Sequence, residues 1–561
     1  MGIAKIGPAG GEVRVKTNTN QSITMAIFFD GTGNNMYNTD ERNEYNKIDD
    51  KYFWQRTDKE KQALNKNVYQ ANTGADSSYE NSYSNVARLF KNYKDDKYPH
   101  HYKIYIEGIG TLKKHEDDIM DGTGLGRNEH GITGRVKDAC KQVAKVLDGL
   151  NFKNGSRIVE TLTVDVFGFS RGAATARHFI YEITSEYYKV VADKIPYSGI
   201  DKVRVNSIST QLDNYKSTDP SKDTSLKKIK HGYLGECCLS NDVQINRIVI
   251  RFAGLFETVA SYSKDIIWSI ITETDPKETP KQFTDDTNEL HLAAIAKARR
   301  VIHLTAEDEH RANFPLTNIK SAGTRGTELV FPGVHSDVGG CYEDNKDEEV
   351  ERLMQITIAN GNGEEANQKL ETEKKRLIQQ GWYNYEELST NIKYGGDLLA
   401  LQHCLQGTRK MLRNTYSFIP LHIMCQFAVE FDKTNNPIPF DLDALTKSDS
   451  KTAISNDPLL VRIKERLKNY AFKNGAPIKL ISTEQRKLVE ATSIKQYDVD
   501  NTFVKTRPHI VPLSQDDEDL LWLRHKYLHW SAKYDRASAR IIPNYPRIDK
   551  DGYIKRLVLP G

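Results

Sequence analysis

The chain has 561 residues, 38% apolar and 28% charged, enough for a large catalytic domain with one or two further modules and too apolar for disorder. Its 79 basic and 76 acidic side chains leave a formal net charge of +3. That balance, with no basic stripe interleaved with aromatics, speaks against nucleic acid as a partner.

The opening stretch MGIAKIGPAGGEVRVKTNTN lacks the apolar core of a signal peptide, and Ile6 stands where myristoylation of Gly2 needs Ser or Thr. A β-rich apolar run at 22–29 then stops at Asp30-Gly31-Thr32-Gly33-Asn34-Asn35, which predicts a strand feeding a Gly/Asn loop. Residues 35–80 are polar and read as a surface insertion. A helix is expected at Ser84–Tyr93, a strand at His101–Ile106, and a helix from Arg135 to Leu147 after a Gly-rich loop. The strand Thr161–Phe167 runs into Gly168-Phe169-Ser170-Arg171-Gly172 and a helix through Tyr187. A second polar insertion spans 195–240. A strand at Val243–Leu255, a mostly helical stretch from Asp265 to Ile302, and a strand at Glu328–Val334 follow.

Strands alternating with helices predict an α/β fold, a mostly parallel sheet with helices on both faces, over residues 22–345. Residues 346–561 read as a mainly helical module, with long helices at Asp397–Phe431 and Asp516–Tyr534 and an irregular stretch at 433–515. It is expected partly to pack on the core and partly to cap its mouth. No window has the roughly 20 apolar residues of a membrane span. The six scattered cysteines have no CxxC spacing, so they read as free thiols of a protein made in the cytosol.

Gly168-Phe169-Ser170-Arg171-Gly172 is a G-x-S-x-G motif between a strand and a helix, the context that makes Ser170 a nucleophile held in a sharp turn. The Arg171 N–H is expected to supply one oxyanion donor, and Gly31 and Thr32, in the loop after the first strand, the second. A serine hydroxyl needs a histidine to take its proton and a carboxylate to orient that histidine. His335, at a strand end between glycines, is the candidate base. Glu257, ending the apolar strand, is the first candidate acid, and Asp308 is the alternative within a cluster that reads as a salt-bridged surface turn. Asp337 could bond local backbone, and Arg171 and Arg177 could be structural. DGTGNN lacks the lysine of a P-loop and the acidic spacing of a calcium loop, so neither metal nor cofactor is expected.

The blocks FFDGTGNN (28–35), SNVARLF (84–90), DVFGFSRGAATAR (165–177), FAGLFETVAS (252–261), EDEHRANFP (307–315) and FPGVHSDVGG (331–340) together resemble one family. It is the α/β-hydrolase family, long catalogued as a domain of unknown function, that includes type VI secretion lipase effectors of the first family. Weaker echoes occur at PLHIMCQFAVEF (420–431) and LRHKYLHWSA (523–532). The resemblance implies a phospholipase A acting on a phospholipid membrane surface and delivered by a type VI secretion machine into the periplasm of a rival bacterium. It implies a triad at Ser170, Glu257 and His335, and it brings with it a secretion spike protein and a cognate immunity protein as partners. Where the family usually has Asp, this chain has Glu257, whose longer arm demands a shifted backbone.

Two other readings stand beside this one. The chain could be a soluble esterase without membrane action, or a binding module on a hydrolase fold that has lost its chemistry. The apolar segment Asp265–Thr272 is read either as a buried turn or as a lid that dips into the headgroup boundary.

Overall fold

The apolar run after residue 20 forms strand β1, Gln21–Phe29, in which every residue from Ile23 to Phe29 is buried. The structure is a computed structural model that describes residues 21–52, 55–74, 77–117, 130–152, 157–190, 226–260, 287–358, 363–394, 401–479, 514–534, 544–547 and 554–561. The segment 265–272, read as a turn or lid, lies outside the described residues, as does most of the polar stretch 195–240.

β1 pairs with β2 (His101–Ile106) on one side and β3 (Ile158–Phe169) on the other. Beyond β3 come β4 (Gln244–Phe256), β5 (Arg300–Ala306) and β6 (Gly326–Phe331), giving the order β2-β1-β3-β4-β5-β6. All five pairings are parallel. The chain moves outward from β1 to β2 and then crosses back to β3, so the strand order reverses between β1 and β3. Loops leaving the carboxyl ends at such a point diverge to opposite faces and leave a crevice, the usual ligand site of an open α/β sheet.

Helices cover both faces, as the unbroken apolar runs of buried parallel strands require. On one face, α2 (Ile132–Asp148) and α3 (Arg171–Ile183) pack Val136, Ala139, Ala176 and Phe179 against Ile23, Met25, Ile27 and Val164. On the other, α1 (Asn85–Asn92) and α4 (Phe418–Glu430) cover Ala26, Phe28, Phe167 and Phe252. Phe28 and Phe167 stack at 5.0 Å with Phe440 edge-on to both. Each such buried ring is worth about 2 kcal/mol. The sheet thus draws a covering helix from beyond residue 400.

Several elements differ from the sequence expectations. Residues 35–80 carry helices Met36–Asp49 and Asp58–Lys66, and Asn38, Thr39 and Arg42 are buried rather than on a surface insertion. The stretch read as helix through Ile302 ends in strand β5, whose short apolar run looks alike in helix and strand until pairing decides it. The helix read through Tyr187 ends at Ile183, and Glu186–Val190 pairs in a hairpin with Leu226–Lys230. The region beyond 345 is not only helical: β7 (Lys346–Ile358), β8 (Leu388–Tyr394) and β9 (Leu401–Leu412) form an antiparallel sheet in the order β7-β9-β8. Helix Gly363–Gln379 packs against it. The Glu-, Arg- and Leu-rich composition favours helix locally, and strand pairing overrides it. Helices Pro458–Phe472 and Gln515–Lys526 follow, the latter stopping short of the expected Tyr534.

All six cysteines are free thiols. No described helix is long and apolar enough to cross a membrane.

Candidate active site

β3 breaks at Ser170, whose backbone sits at φ 58° and ψ −130°, a conformation strained for any residue but glycine. Its N–H donates to Phe256 O and its carbonyl accepts from Ala173 N, both at 3.0 Å. The flanking glycines are steric requirements. A Cβ on Gly172 would lie 2.2 Å from Asp30 O and 2.5 Å from Phe29 O, and one on Gly168 would lie 2.6 Å from Ala173 Cα. Helix α3 therefore starts backbone-to-backbone against the end of β1, and its first turn aims amide dipoles at the serine. Ser170 is 6% exposed at the carboxyl edge of the sheet.

One strand over, β4 ends at Glu257, which also takes a positive φ, 52°, and is fully buried. Its Oε1 accepts from Ala306 N at 2.7 Å and from Arg556 Nη1 at 2.8 Å. Its Oε2 accepts from Arg556 Nη2 at 2.7 Å and lies 2.8 Å from His335 Nδ1. Burial alone would raise the carboxyl pKa. The charge of Arg556, and after it the hydrogen bond to His335, override burial and bring it down to about 2. An ionised carboxylate only accepts, so Nδ1 carries the imidazole proton and Nε2 presents a lone pair.

His335 opens the short helix His335–Gly339 after β6. Its ring lies 4.7 Å from Phe169, the neighbour of Ser170, and 4.9 Å edge-on from Phe314. Nε2 is buried and has no hydrogen-bond partner among the described residues. Burial pulls its pKa below the ordinary 6.5; Glu257 opposes that shift and Arg311 adds to it. The imidazole is thus neutral at pH 7 with its basic nitrogen unclaimed.

Asp308 is directed elsewhere. Its Oδ2 accepts from Gly333 N at 2.8 Å and its Oδ1 from Arg524 Nη2 at 2.9 Å, and no hydrogen bond joins it to His335. The cluster around it is not the surface turn expected from its charges: Asp308 is 7% exposed and Glu309 fully buried. Glu309 accepts from Arg311 Nη2 at 2.8 Å, from His335 N at 3.2 Å and from Ser531 Oγ at 3.1 Å. Asp337 accepts from Val334 N, as local bonding predicts, and also faces His529. Arg177 is buried and donates to Leu292 O and Asn318 O at 3.1 Å each, tying α3 to two neighbouring loops.

Sequence reasoning missed the four C-terminal partners of this cluster: Arg524 for Asp308, His529 for Asp337, Ser531 for Glu309 and Arg556 for Glu257. The echo LRHKYLHWSA held a signal for the first three. Arg556 sits in no motif.

Of the residues expected at the oxyanion hole, the Gly31 amide donates to Asp30 Oδ1 at 2.7 Å and is therefore claimed. The Thr32 Oγ1 is buried without a hydrogen-bond partner among the described residues. Arg171 is buried at the first position of α3. Among the described residues no group of three or more His, Cys, Asp or Glu could hold a metal ion.

A family model described as the catalytic domain of Tle1-like phospholipase effectors of the type VI secretion system matches residues 24–360. Among solved structures, that of the Tle1 effector bound to the VgrG spike of the type 6 secretion system superposes with a TM-score of 0.50 at 18% identity. The match covers 96% of this chain and 94% of that one, and it shows the fold. The crystal structure of an uncharacterized protein from Pseudomonas aeruginosa also matches, at 19% identity and a TM-score of 0.29, over 58% of this chain and 42% of that one. No curated protein matches.

Proposed function

We propose that this chain, which belongs to the Tle1-like phospholipase effector family of the type VI secretion system, is a phospholipase A that cleaves acyl esters by a Ser-His-Glu mechanism. The observation that carries this reading is the 2.8 Å contact of His335 Nδ1 with Glu257, with Nε2 lacking a hydrogen-bond partner among the described residues and Ser170 strained at the end of β3, the strand next to the one that ends at Glu257. His335 Nε2 takes the Ser170 proton as Oγ attacks the ester carbonyl. Glu257 stabilises the imidazolium that forms, and the same proton then goes to the departing lysophospholipid alkoxide. Water repeats the sequence on the acyl-enzyme and releases the fatty acid. The oxyanion is met by the N–H of Arg171 and by the loop at Gly31 and Thr32. Since the Gly31 amide is claimed by Asp30, the donor in that loop falls to Thr32.

The substrate is phospholipid at a membrane surface, and the partner is a secretion spike protein of the kind bound to the solved Tle1 effector. Delivery by that route ends in the periplasm of the target cell.

Mass spectrometry of products from defined phospholipids tests the reading, with Ser170→Ala alongside the natural chain. A fatty acid and a lysophospholipid are expected from the natural chain and neither from the variant. Hydrolysis that survives Ser170→Ala, or that splits only soluble esters, would overturn it.

A further inference from the structure

The segment Ile554–Gly561 runs beside residues 314–321. Leu557 O accepts from Leu316 N at 2.8 Å, Leu559 O from Asn318 N at 3.0 Å and Gly561 O from Ser321 N at 3.1 Å. Val558 and Leu559 pair in parallel with Leu316 and Thr317. This zipper delivers one charged side chain inward. Arg556, its side chain 8% exposed, donates from Nε to Phe314 O at 2.9 Å, and its two terminal nitrogens grip both oxygens of Glu257. The ring of Phe314 in turn packs on His335. One guanidinium thus touches the acid and the backbone of the residue that covers the base.

We propose that Arg556 is a positioning residue of the triad: its fork sets the plane of the Glu257 carboxylate so that Oε2 is aimed at His335 Nδ1. The inference rests on the reading of Ser170, His335 and Glu257 as the triad. A glutamate has one more torsion than an aspartate, and the single N–H of Ala306 pins only Oε1, leaving the carboxylate plane free to turn about it. A bidentate guanidinium removes that freedom, which a lysine point charge cannot do. The charged and titratable groups around the pair are Arg556, Arg311, Glu309, Tyr342 beside Arg311, and His310 near Glu309 and Arg556. Removing the positive charge of Arg556 increases the proton affinity of both Glu257 and His335. The acid limb of the activity profile then moves to higher pH on either account.

The test uses the full chain and a soluble short-chain p-nitrophenyl ester, with Ser170→Ala as the control for the triad itself. Arg556→Gln is expected to lower kcat by about tenfold to a hundredfold with KM within about twofold. Its acid limb of kcat/KM should rise by about one pH unit. Arg556→Lys keeps the charge but not the fork, so its limb should stay in place while kcat falls by about fivefold. Methylguanidinium should restore part of the activity of Arg556→Ala, which a purely structural loss would not allow. An unmoved limb in Arg556→Gln, or an Arg556→Lys enzyme indistinguishable from the natural one, overturns the proposal. Where Arg556→Gln does not fold, the lysine variant decides alone. Hydrolysis that persists in Ser170→Ala would instead remove the triad on which the inference stands.

Discussion

His529 Nδ1 lies 2.7 Å from Asp337 Oδ1, while the other oxygen of that carboxylate accepts the N–H groups of Val334 and His529, each at 3.0 Å. The turn carrying His335 is therefore clamped by a residue 192 positions further along the chain. Tyr342 stacks on the His529 ring at 3.7 Å. The same pattern recurs at Asp308, Glu309 and Glu257, each held by a partner from beyond residue 520.

His529→Ala leaves Asp337 buried without its side-chain hydrogen-bond partner, though the two backbone donors remain. Leaving a buried carboxyl oxygen without its hydrogen-bond partner costs about 2 kcal/mol. Thermal unfolding should show that loss. Ester turnover should fall as well, because the turn that aims His335 loosens. A variant that melts like the natural protein would mean the clamp does not hold the turn.

Glu257→Gln and Asp308→Asn remove one charge each from neighbouring buried clusters, yet their effects should separate. The glutamine cannot stabilise an imidazolium, so kcat should fall by about a thousandfold or more. The asparagine keeps its hydrogen bond to Gly333 but leaves Arg524 without its charge partner. It should therefore melt earlier while keeping at least about a third of kcat. Steady-state kinetics beside a melting curve for each variant checks this, and exchanged ranks in kcat would make Asp308 the acid.

The pH dependence follows from His335. Its pKa in the folded protein is lowered from 6.5, first by burial, so the neutral base persists below pH 6.5. The acid limb of kcat/KM for a soluble ester should have its midpoint below that value. Stability runs the same way. The unfolded chain protonates this histidine first, so the folded state loses ground as pH falls through 6.5. Glu257, lowered from 4.5 to about 2, contributes stability that is full above 4.5 and is lost toward pH 2. A melting temperature that rises as pH falls from 7 to 5 would contradict the first sign, and one that rises as pH falls from 4.5 toward 2 would contradict the second.

The parts of this protein legible in its sequence are those where one local rule decides the outcome. β1 from Ile23 on, and the carboxyl-terminal halves of β3 and β4, are buried on both faces, so their apolar runs announce them without reference to anything distant. Ser170, Glu257 and His335 stand where such strands end, and the structure brings the last two into contact. β7 and β9 were hidden because each carries helix-forming residues and becomes a strand only by pairing with the other. The partners of the buried carboxylates were hidden for a similar reason. Arg556 lies 299 residues from Glu257, and nothing around Leu557 or Lys555 marks it as different from a solvated arginine. The Asp308 cluster looked like surface because five charged or polar residues in a row usually are; burial with paired counter-charges from elsewhere cannot be read locally.

The glycines of the nucleophile turn and of the first loop should respond differently to substitution. Gly33 sits at φ 68°, and among the described residues no atom lies within 4 Å of where a Cβ would stand, so its constraint is conformational and not steric. Asparagine tolerates that left-handed region, and Gly33→Asn should cost about 1 kcal/mol or less and leave turnover close to natural. Gly172 is the opposite case. A methyl group there meets two backbone oxygens, Asp30 O at 2.2 Å and Phe29 O at 2.5 Å, neither of which can rotate away. Relief requires α3 to slide off the end of β1, and that motion carries Ser170 with it. Gly172→Ala should therefore lose several kcal/mol of stability, of order 3, as overpacking does, and lose turnover beyond what the unfolded fraction explains. Turnover is to be measured well below the variant's own melting temperature, so that unfolding and misplacement are separated. A Gly172→Ala protein as active per folded molecule as the natural one would mean that close contact with β1 does not set the position of the nucleophile.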